Sequence, residues 1–250
     1  MKTLAVDCGG TGIKAAVLSS SGNRVRVIKE LDYLKTPYPI SPSKLISIIG
    51  DFISQSPKVQ RLTVGLPGMI RAGKVVVIPH YVNPNGPRTR ASNELKKLWY
   101  GFDLQTALCR KYSIPTLVLN DAEIHAAAVV KGKGLELVLT FGTGLGSAIY
   151  LDGKLAPHLE ISHFTVRVGR TVDMWIGEIA RKRIGNTLWS RRVKQLIQEL
   201  YPMVIWDRLY IGGHNAQRLK KIALRSFDGK VQIIPNSAGV TGGARAWKLK

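Results

Sequence analysis

Two glycine-rich segments of this chain have the residue types and spacing that bind phosphate groups. The first, VDCGGTGIK at Val6–Lys14, follows a short apolar run and places Asp7 just before its glycines. The second, TFGTGLGS at 140–147, also follows an apolar run. Consecutive backbone N–H groups in such loops can surround phosphate oxygens. The repeated strand–loop–strand pattern therefore predicts two phosphate-binding hairpins.

Both loops are expected to contact phosphate mainly through their backbone. A plain β-hairpin is the simplest alternative, because glycine is the usual turn residue, but it does not account for the repeat. An exposed strand lysine is an equally good interpretation of the lysine in the first loop. The expected phosphate ligands are Gly9, Gly10, Thr11, Gly12 and Lys14 in the first loop and Gly142, Thr143, Gly144 and Gly146 in the second.

A dinucleotide-binding fingerprint is a second alternative for the first loop. Gly10, Gly12 and Ala15 fit G-x-G-x-x-A, and Asp32 follows at about the right distance, roughly 20 residues on. That motif needs a long helix directly after the glycines. Here residues suited to a strand follow instead, and the Walker pattern G-x-x-x-x-G-K-[ST] is absent. The dinucleotide interpretation is therefore rejected.

Two aspartates add catalytic chemistry to these loops. Asp7 would repel phosphate unless a cation lay between them, and Mg²⁺ binds through a few carboxylates together with phosphates. Asp121 ends the apolar run TLVLND and begins a helical segment. Phosphoryl transfer needs a group that takes the proton of the acceptor hydroxyl, and Asp121 is the candidate. A simple helix N-cap is its alternative role.

The rest of the chain alternates strands and helices, which predicts an α/β architecture. Its charge is strongly basic, with a formal net charge of +21, which favours a polyanionic partner or simply a basic surface. Ala180–Gln195 concentrates these charges, either as a solvated helix face or as a track for a long polyanion. The chain has two cysteines without the spacing of a disulfide framework or a metal site, which favours a reducing, cytoplasmic setting. Cys8 is expected to be a small residue that fills space beside the first loop. No apolar run is long enough to span a bilayer.

The predicted elements of the chain can be placed as follows. Strands are expected at 4–7, 13–19, 24–33, LTVGLPG, GKVVVIP, 116–121, 207–213 and VQIIPN, and helices at 43–54, AEIHAAAVVK, 173–183, 188–200, a segment ending near 224 and a last segment from about 237.

Five segments occur in the order and spacing found in the ROK family of sugar kinases, which this chain resembles over nearly its whole length. They are DCGGTGIK, LNDAEIHAAA, LTFGTGLGSAIYLDGKLAPHLEISH, YIGGHN and PNSAGVTGGARAW. The resemblance is strongest to the polyphosphate-using branch. It implies a two-lobed actin-like ATPase (ribonuclease H-like) fold with an interlobe cleft. The first lobe would hold residues 1–119 and the C-terminal helix 237–250, and the second would hold 120–236.

The resemblance also implies an activity and its residues. The chain would transfer a phosphoryl group from inorganic polyphosphate and/or ATP to the 6-hydroxyl of glucose or a similar hexose, with magnesium bound at Asp7. Asp121 would be the catalytic base. The sugar ligands would be Asn120, Asp121, Glu160, His163 and Asn83, with Trp99 a weaker candidate. A cytoplasmic homodimer without a membrane or specific nucleic-acid partner is expected. The alternative is a non-catalytic or regulatory sugar-binding protein.

Three departures from the family pattern qualify this resemblance. No cysteine-rich motif follows His163, so no structural zinc is expected. Ser162 stands where the family has glycine in Glu-x-Gly-His, which affects the expected geometry of the sugar segment. YIGGHN has His214 where a third glycine is usual, which affects the expected contacts to adenine.

Overall fold

The computed structural model describes residues 1–22, 24–87, 89–220, 231–235 and 238–249. The chain divides into two compact units. Unit 1 comprises Met1–Ala128 and Gly239–Lys250, and unit 2 comprises Val129–Ala238. The boundary between the two units lies after Ala128, whereas the sequence placed it between residues 119 and 120. Asn120 and Asp121 therefore belong to unit 1.

Unit 1 is built on a six-stranded sheet in the order β3-β2-β1-β5-β8, with β4 also paired to β2. A separate hairpin consists of β6 (Met69–Arg71) and β7 (Lys74–Val77). The parallel strands of the sheet are almost fully buried, as expected for apolar runs covered on both faces. The sheet strands are β1 (Lys2–Cys8), β2 (Gly12–Ser21), β3 (Arg24–Glu30), β4 (Leu34–Lys35), β5 (Arg61–Leu66) and β8 (Thr116–Asn120).

Helices pack on this sheet and complete the core of unit 1. The first shows why they form: Ser41 caps it, Pro42 occupies its first turn, and its apolar residues are buried against the sheet. The helices are α1 (Pro42–Ser54), α2 (Asn93–Trp99), α3 (Leu104–Tyr112), α4 (Asp121–Ala127) and, from Gly239 onward in this unit, α7 (Ala238–Leu249).

Unit 2 has a five-stranded sheet in the order β11-β10-β9-β14-β15 and a small hairpin formed by β12 and β13. Its strands are β9 (Leu135–Phe141), β10 (Leu145–Leu151), β11 (Lys154–Leu155), β12 (Thr165–Arg167), β13 (Arg170–Thr171), β14 (Arg208–Gly212) and β15 (Val231–Ile233). Its helices are α5 (Val172–Ile176) and α6 (Glu178–Val204), with short 3₁₀ turns at Ile161–His163 and Ala216–Arg218.

Both units share one arrangement at their centre. In unit 1, β1 pairs antiparallel with β2 and parallel with β5. In unit 2, β9 pairs antiparallel with β10 and parallel with β14. Each glycine loop joins the two antiparallel strands. The internal repeat seen in the sequence is thus a repeat of structure, and the α/β fold class is confirmed.

Several predicted elements differ in their ends. The third strand stops at Glu30, before the predicted end at Tyr33. The predicted helices at 173–183 and 188–200 correspond to α5 with the first part of α6 and to the second part of α6. The predicted gap between them is confirmed, because α6 consists of two helical stretches separated by a kink at Gly185, whose φ is 76°. The helix predicted to reach about residue 224 begins as a 3₁₀ turn at Ala216–Arg218, and residues 221–230 lie outside the described part. Among the described helices, none has the length and apolar character needed to cross a membrane.

Candidate active site

The first glycine loop has its carbonyl oxygens held by side-chain hydroxyls. The pairs are Thr36 Oγ1 to the carbonyl of Gly9 at 2.9 Å, the Tyr38 hydroxyl to that of Gly10 at 2.8 Å, and the Tyr33 hydroxyl to that of Thr11 at 3.1 Å. Within the described residues, Gly10 and Thr11 do not donate their backbone N–H groups to a backbone carbonyl. The loop therefore presents N–H groups, as a phosphate site requires.

Close side chains explain why glycine is needed in this loop. A β-carbon on Gly12 would collide with the Tyr33 ring and hydroxyl. A β-carbon on Gly10 would lie 3.1 Å from His80 Cδ2 and 3.2 Å from Pro87 Cγ. Sequence reasoning did not identify Tyr33, Tyr38 or His80, because no spacing pattern connects them to the loop.

Asp7 and Asp121 are brought close to each other by a glycine in the neighbouring strand. Asp7 on β1 is in register with Gly65 on β5. A β-carbon on Gly65 would lie only 3.5 Å from Asp121 Cα. Because Gly65 has no side chain, the start of α4 can lie against β5, the strand beside the one that carries Asp7. Two carboxylates thus lie beside one phosphate-type loop.

The same two carboxylates act on a buried pair beneath the loop. Burial is the main cause that raises the pKa of both Cys8 and Tyr81, and Asp7 and Asp121 raise it further. The Tyr81 hydroxyl bonds to the Cys8 thiol and lies 3.4 Å from the carbonyl of Gly9. Cys8 is fully buried, so it fills space under the loop, and both groups stay protonated at neutral pH.

The environment of Asp7 fits a ligand of Mg²⁺ shared with phosphates. Burial raises the pKa of Asp7, and Lys14, its register partner on β2, opposes this rise. A β-carbon on Gly239 would lie 3.2 Å from Asp7 Oδ2 and 3.1 Å from His125 Nδ1, so the space above the carboxylate is narrow. The described residues contain no cluster of three side chains that could hold a metal by themselves. Mg²⁺ needs only one or two carboxylates when phosphates and water supply the rest.

The start of α4 separates the roles of Asn120 and Asp121. Asn120 is the N-cap: its Oδ1 accepts from the N–H of Ala122 at 2.8 Å, and Glu123 completes a capping box. Its Nδ2 donates to the carbonyl of Gly68 at 2.8 Å, and the residue is only 4% exposed. The capping role considered for Asp121 thus belongs to Asn120. Asp121 occupies the first helical position and is partly exposed.

The remaining unit 1 candidates, Asn83 and Trp99, are both buried. Asn83 lies in the loop after β7 and is 8% exposed, and its carbonyl accepts from the N–H of Gly86 at 3.1 Å. Trp99 is fully buried and donates its Nε1–H to the carbonyl of Ile40 at 2.9 Å. Trp99 is therefore a core residue, which corrects its candidacy as a sugar contact.

The second glycine loop is also held by hydrogen bonds to its backbone. They join Gly142 N to the carbonyl of Gly144 at 2.9 Å, Asn215 Nδ2 to the carbonyl of Gly142 at 3.0 Å, Glu178 N to the carbonyl of Thr143 at 3.1 Å, and Leu145 N to Asp173 Oδ1 at 2.9 Å. Gly146 lies within β10, opposite Thr140. As in the first loop, the carbonyl oxygens are occupied.

A buried charge network supports this second loop. Glu178, the first residue of α6, accepts from Asn215 Nδ2 at 2.7 Å and from Arg181 Nε at 2.8 Å. Arg181 also donates to Asn186 Oδ1 at 2.7 Å. The hydrogen bond from Arg181 is the main cause that lowers the pKa of Glu178 to about 2. Sequence reasoning missed Glu178 and Asn215, although Asn215 lies in the quoted YIGGHN segment. His214 beside it is exposed.

The predicted sugar segment places several polar groups around Glu160. His158 Nε2 lies 3.1 Å from Glu160 Oε2, and Ser162 Oγ donates to Oε1 at 2.6 Å. Burial works to raise the pKa of Glu160, but these two hydrogen bonds and the nearby His163 hold it below its ordinary value. Ser162, the residue that departs from the family pattern, thus orients the carboxylate. His163 itself is exposed.

The basic segment Ala180–Gln195 does not form one exposed row of charges. Arg181 is 8% exposed and paired with Glu178. Arg192 is partly buried and donates to the carbonyl of Trp175 at 2.9 Å. Arg191, in contrast, is exposed. The charges of this segment therefore have separate environments, and neither a continuous track nor a uniformly solvated helix face describes them.

Two glycine hairpins with occupied carbonyls, each at the centre of an α/β unit of the same plan, define the chain as an actin-like ATPase fold. The family profile of the ROK family matches residues 3–159, so the chain belongs to the ROK family.

Two relatives are sugar kinases, one similar over nearly the whole chain and one over part of it. The chain is 25% identical over 259 residues to a polyphosphate glucokinase of Mycobacterium tuberculosis (strain H37Ra), covering 96% of this chain and 89% of that protein. An N-acetylmannosamine kinase of Escherichia coli (strain SE11) is 30% identical over 160 residues, or 62% of this chain and 49% of that protein.

Solved structures show the same fold. An inorganic polyphosphate/ATP-glucomannokinase from Arthrobacter sp. strain KM matches with a TM-score of 0.77 and 24% identity, over 99% of this chain and 98% of that one. A ROK family glucokinase from Streptomyces griseus, in complex with glucose and AMPPNP, matches with a TM-score of 0.75 and 17% identity, over 98% of both chains.

Proposed function

We propose that this protein is a sugar kinase that transfers a phosphoryl group from inorganic polyphosphate and/or ATP to the 6-hydroxyl of glucose or a similar hexose. The observation that carries the proposal is the approach of Asp121 to Asp7 beside a glycine loop whose carbonyls are occupied. Phosphoryl transfer requires a site that binds phosphate, a carboxylate that binds the metal, and a separate carboxylate that can act as the base.

In this proposal the two carboxylates have different tasks. Burial raises the pKa of Asp7, so a cation beside it gains from a carboxylate that lacks full solvation. Mg²⁺ bound there would neutralise charge on the phosphates. Asp121 would accept the proton of the sugar 6-hydroxyl as the hydroxyl attacks.

The glycine loops would hold the donor phosphates through backbone N–H groups. The proposed phosphate ligands are Gly9, Gly10, Thr11, Gly12 and Lys14 in the first loop and Gly142, Thr143, Gly144 and Gly146 in the second. In both loops the occupied carbonyl oxygens support this role, because they are held away from repulsive contact with phosphate. Lys14 adds positive charge next to Asp7 in the paired strand.

The proposed sugar ligands come from three segments. Glu160 is held ionised by its hydrogen bonds, and an ionised carboxylate is a strong acceptor for sugar hydroxyls. His163, exposed on the following 3₁₀ turn, would contribute a second polar contact. Asn120 and Asn83 are buried, and both polar side-chain atoms of Asn120 already bond to backbone groups, so a sugar hydroxyl would share those atoms. A cytoplasmic homodimer remains our expectation for the assembled enzyme.

The proposed donor and sugar are supported by the relatives. A polyphosphate glucokinase and a polyphosphate/ATP-glucomannokinase both match nearly the whole chain. The formal net charge of +21 suits a polyanionic donor. The exposed His214, in place of a third glycine, stands where contacts to adenine would be expected, which favours polyphosphate over ATP.

A donor-by-sugar activity matrix tests this function. The purified protein is assayed with Mg²⁺ and either long-chain polyphosphate or ATP, against glucose, mannose and N-acetylmannosamine, with sugar phosphate as the readout. We expect glucose phosphorylation with at least one donor, and its loss in the Asp7→Asn variant. Sugar binding without transfer from either donor would instead support the non-catalytic alternative.

A further inference from the structure

A pocket of about 270 Å³ in unit 2 has three arginines in its lining. It lies where the β12–β13 hairpin meets α5 and α6. Its lining residues are Val166, Arg167, Arg170, Trp175, Arg192, Gln195 and Glu199. None of the glycine-loop residues and none of the predicted sugar ligands belongs to this set, so the pocket is separate from the candidate active site described above.

Three arginines converge on this pocket at a cost to stability. Arg167 and Arg170 are direct partners across the β12–β13 hairpin. Like charges directly opposite each other destabilise a strand pair. Burial is the main cause that lowers the pKa of Arg192, and Arg183, Arg170 and Arg167 lower it further. The positive charges thus lie close enough to repel one another.

The charge of the pocket is only partly balanced by its own residues. Glu199 is the one acidic residue in its lining, and it accepts a hydrogen bond from Gln195 Nε2 at 2.8 Å. No salt bridge joins Arg167, Arg170 or Arg192 to a carboxylate among the residues that the structure describes. A bound anion would relieve the repulsion.

Arg192 is held in place before any ligand binds. Its Nη1 donates to the carbonyl of Trp175 at 2.9 Å, and its guanidinium lies 5.8 Å from the centre of the Trp175 ring. Restraint of this kind lowers the entropy lost on binding. A guanidinium also presents a planar fork of donors that matches phosphate oxygens.

We propose that this pocket binds phosphate groups of a polyphosphate chain at a distance from the reacting end. This inference rests on the proposed use of polyphosphate. The link to the second glycine loop is α5: Asp173 near its start bonds the N–H of Leu145 after the loop, and Trp175 two residues later lines the pocket. The loop and the pocket are therefore separated by about the width of one helix, ~10 Å. Several linked phosphates can span such a distance, whereas a single phosphate cannot occupy both places.

The test compares two charge-matched double variants by titration calorimetry. Arg167→Gln with Arg170→Gln removes two charges from the pocket. Arg191→Gln with Lys194→Gln removes two charges from α6 outside the pocket lining. We expect the pocket variant to lose about tenfold or more in affinity for long-chain polyphosphate, because each arginine removed takes away charge-assisted hydrogen bonds to phosphate. The control variant should lose less than about threefold, through general charge alone.

A stability measurement separates binding from structural damage. Removing the facing Arg167–Arg170 charges should leave the thermal midpoint unchanged or raise it, because their repulsion is lost. Arg192→Lys is the second variant: it keeps the charge, loses the fork, and should also bind polyphosphate more weakly. The log–log dependence of affinity on salt should become shallower by about 0.7 for each phosphate contact removed.

The possible outcomes separate this proposal from the proposed function. Equal losses in both double variants, or a single-stranded RNA bound as tightly as polyphosphate, would overturn the pocket in favour of diffuse positive charge. If polyphosphate is a donor and the pocket variant keeps its affinity and KM, the pocket fails while the sugar kinase stands. If polyphosphate is not a donor but tripolyphosphate binding still depends on Arg167 and Arg170, the donor assignment fails and the oligophosphate site stands.

Discussion

Replacing Glu178 by glutamine should loosen the second glycine loop and destabilise the protein. The carboxylate accepts from Arg181 at 2.8 and 2.9 Å and from Asn215 at 2.7 Å. Glutamine has one oxygen and one NH₂ group in place of two carboxylate oxygens, so its NH₂ group would face an N–H group of Arg181 or Asn215. Arg181, only 8% exposed, would lose its charged partner.

The size of this effect follows from the pKa of Glu178. It falls from an ordinary value of about 4.3 to about 2 in the folded protein. Two units correspond to about 3 kcal/mol, and solvent screening around a side chain that is 14% exposed reduces this to about 1–2 kcal/mol. The misdirected amide adds about 1 kcal/mol. We expect a loss of about 2–3 kcal/mol, or a thermal midpoint lower by about 5–10 °C at pH 7.

The pH dependence gives the effect a signature. A carboxylate with a depressed folded pKa stabilises the protein above its ordinary pKa and loses that contribution as pH falls. The difference between the wild type and Glu178→Gln should therefore shrink between about pH 5 and pH 2. Thermal unfolding followed by circular dichroism measures this difference, and the KM for the phosphoryl donor should rise in the variant.

A matched control is available on the same helix. Lys182 also contacts Glu178, but at 3.5 Å and with a side chain that is 71% exposed. Lys182→Gln should change the free energy of unfolding by less than about 0.5 kcal/mol. If the free energy of unfolding of Glu178→Gln lies within about 0.5 kcal/mol of the wild-type value at every pH, the hydrogen bonds of Glu178 do not stabilise the second glycine loop.

Three further predictions concern unit 1. Asp7→Asn should stabilise the metal-free protein, because the raised pKa of Asp7 means that ionisation of this carboxyl opposes folding. The gain in the free energy of unfolding should be absent below about pH 4 and should grow as pH rises above it. Urea unfolding at several pH values measures this gain. Gly242→Ala should destabilise the protein by about 2 kcal/mol or more, because the added carbon would collide with the backbone carbonyl of Ile124; an unchanged midpoint would show that α7 can shift without cost. Tyr38→Phe should raise the KM for the donor several-fold with little change in sugar affinity, since it releases the carbonyl of Gly10; equal changes in both constants would argue against a specific loop effect.

The central strands and both glycine loops could be predicted because the signals are local. Apolar runs followed by glycine clusters produce buried strands and tight hairpins, and Ser41-Pro42 marks the start of α1. The ends of elements were less accurate. The predicted helices at 173–183 and 188–200 lie on either side of the kink at Gly185, but the sequence did not show that α5 ends at Ile176 or that α6 continues to Val204.

The partners of the loops could not be predicted because they come from distant segments. Thr36, Tyr38 and Tyr33 reach the first loop only after β4 pairs with β2. Asn215 reaches Glu178 across 37 residues of chain, and no periodic pattern connects them. The environments of the basic residues in Ala180–Gln195 could not be predicted either. The sequence shows how many charges the segment carries, but only the structure shows that Arg181 is buried and Arg192 is partly buried.

The resemblance to the ROK family supplied roles that residue types alone left open. From the sequence, Asp121 could be a base or a helix cap. The structure assigns the cap to Asn120, whose Oδ1 bonds the N–H of Ala122. What Asp121 does is a question for kinetics.

The most direct test of the proposed mechanism is the effect of Asp121→Asn on phosphoryl transfer to glucose, with sugar binding measured on the same preparation. The side chain keeps its size and can still contact the helix start, but it cannot accept a proton as a base. We predict that turnover falls by about 10²–10⁴-fold while the Kd for glucose changes less than about threefold. A variant that retains more than about a tenth of wild-type turnover would contradict the assignment of Asp121 as the base.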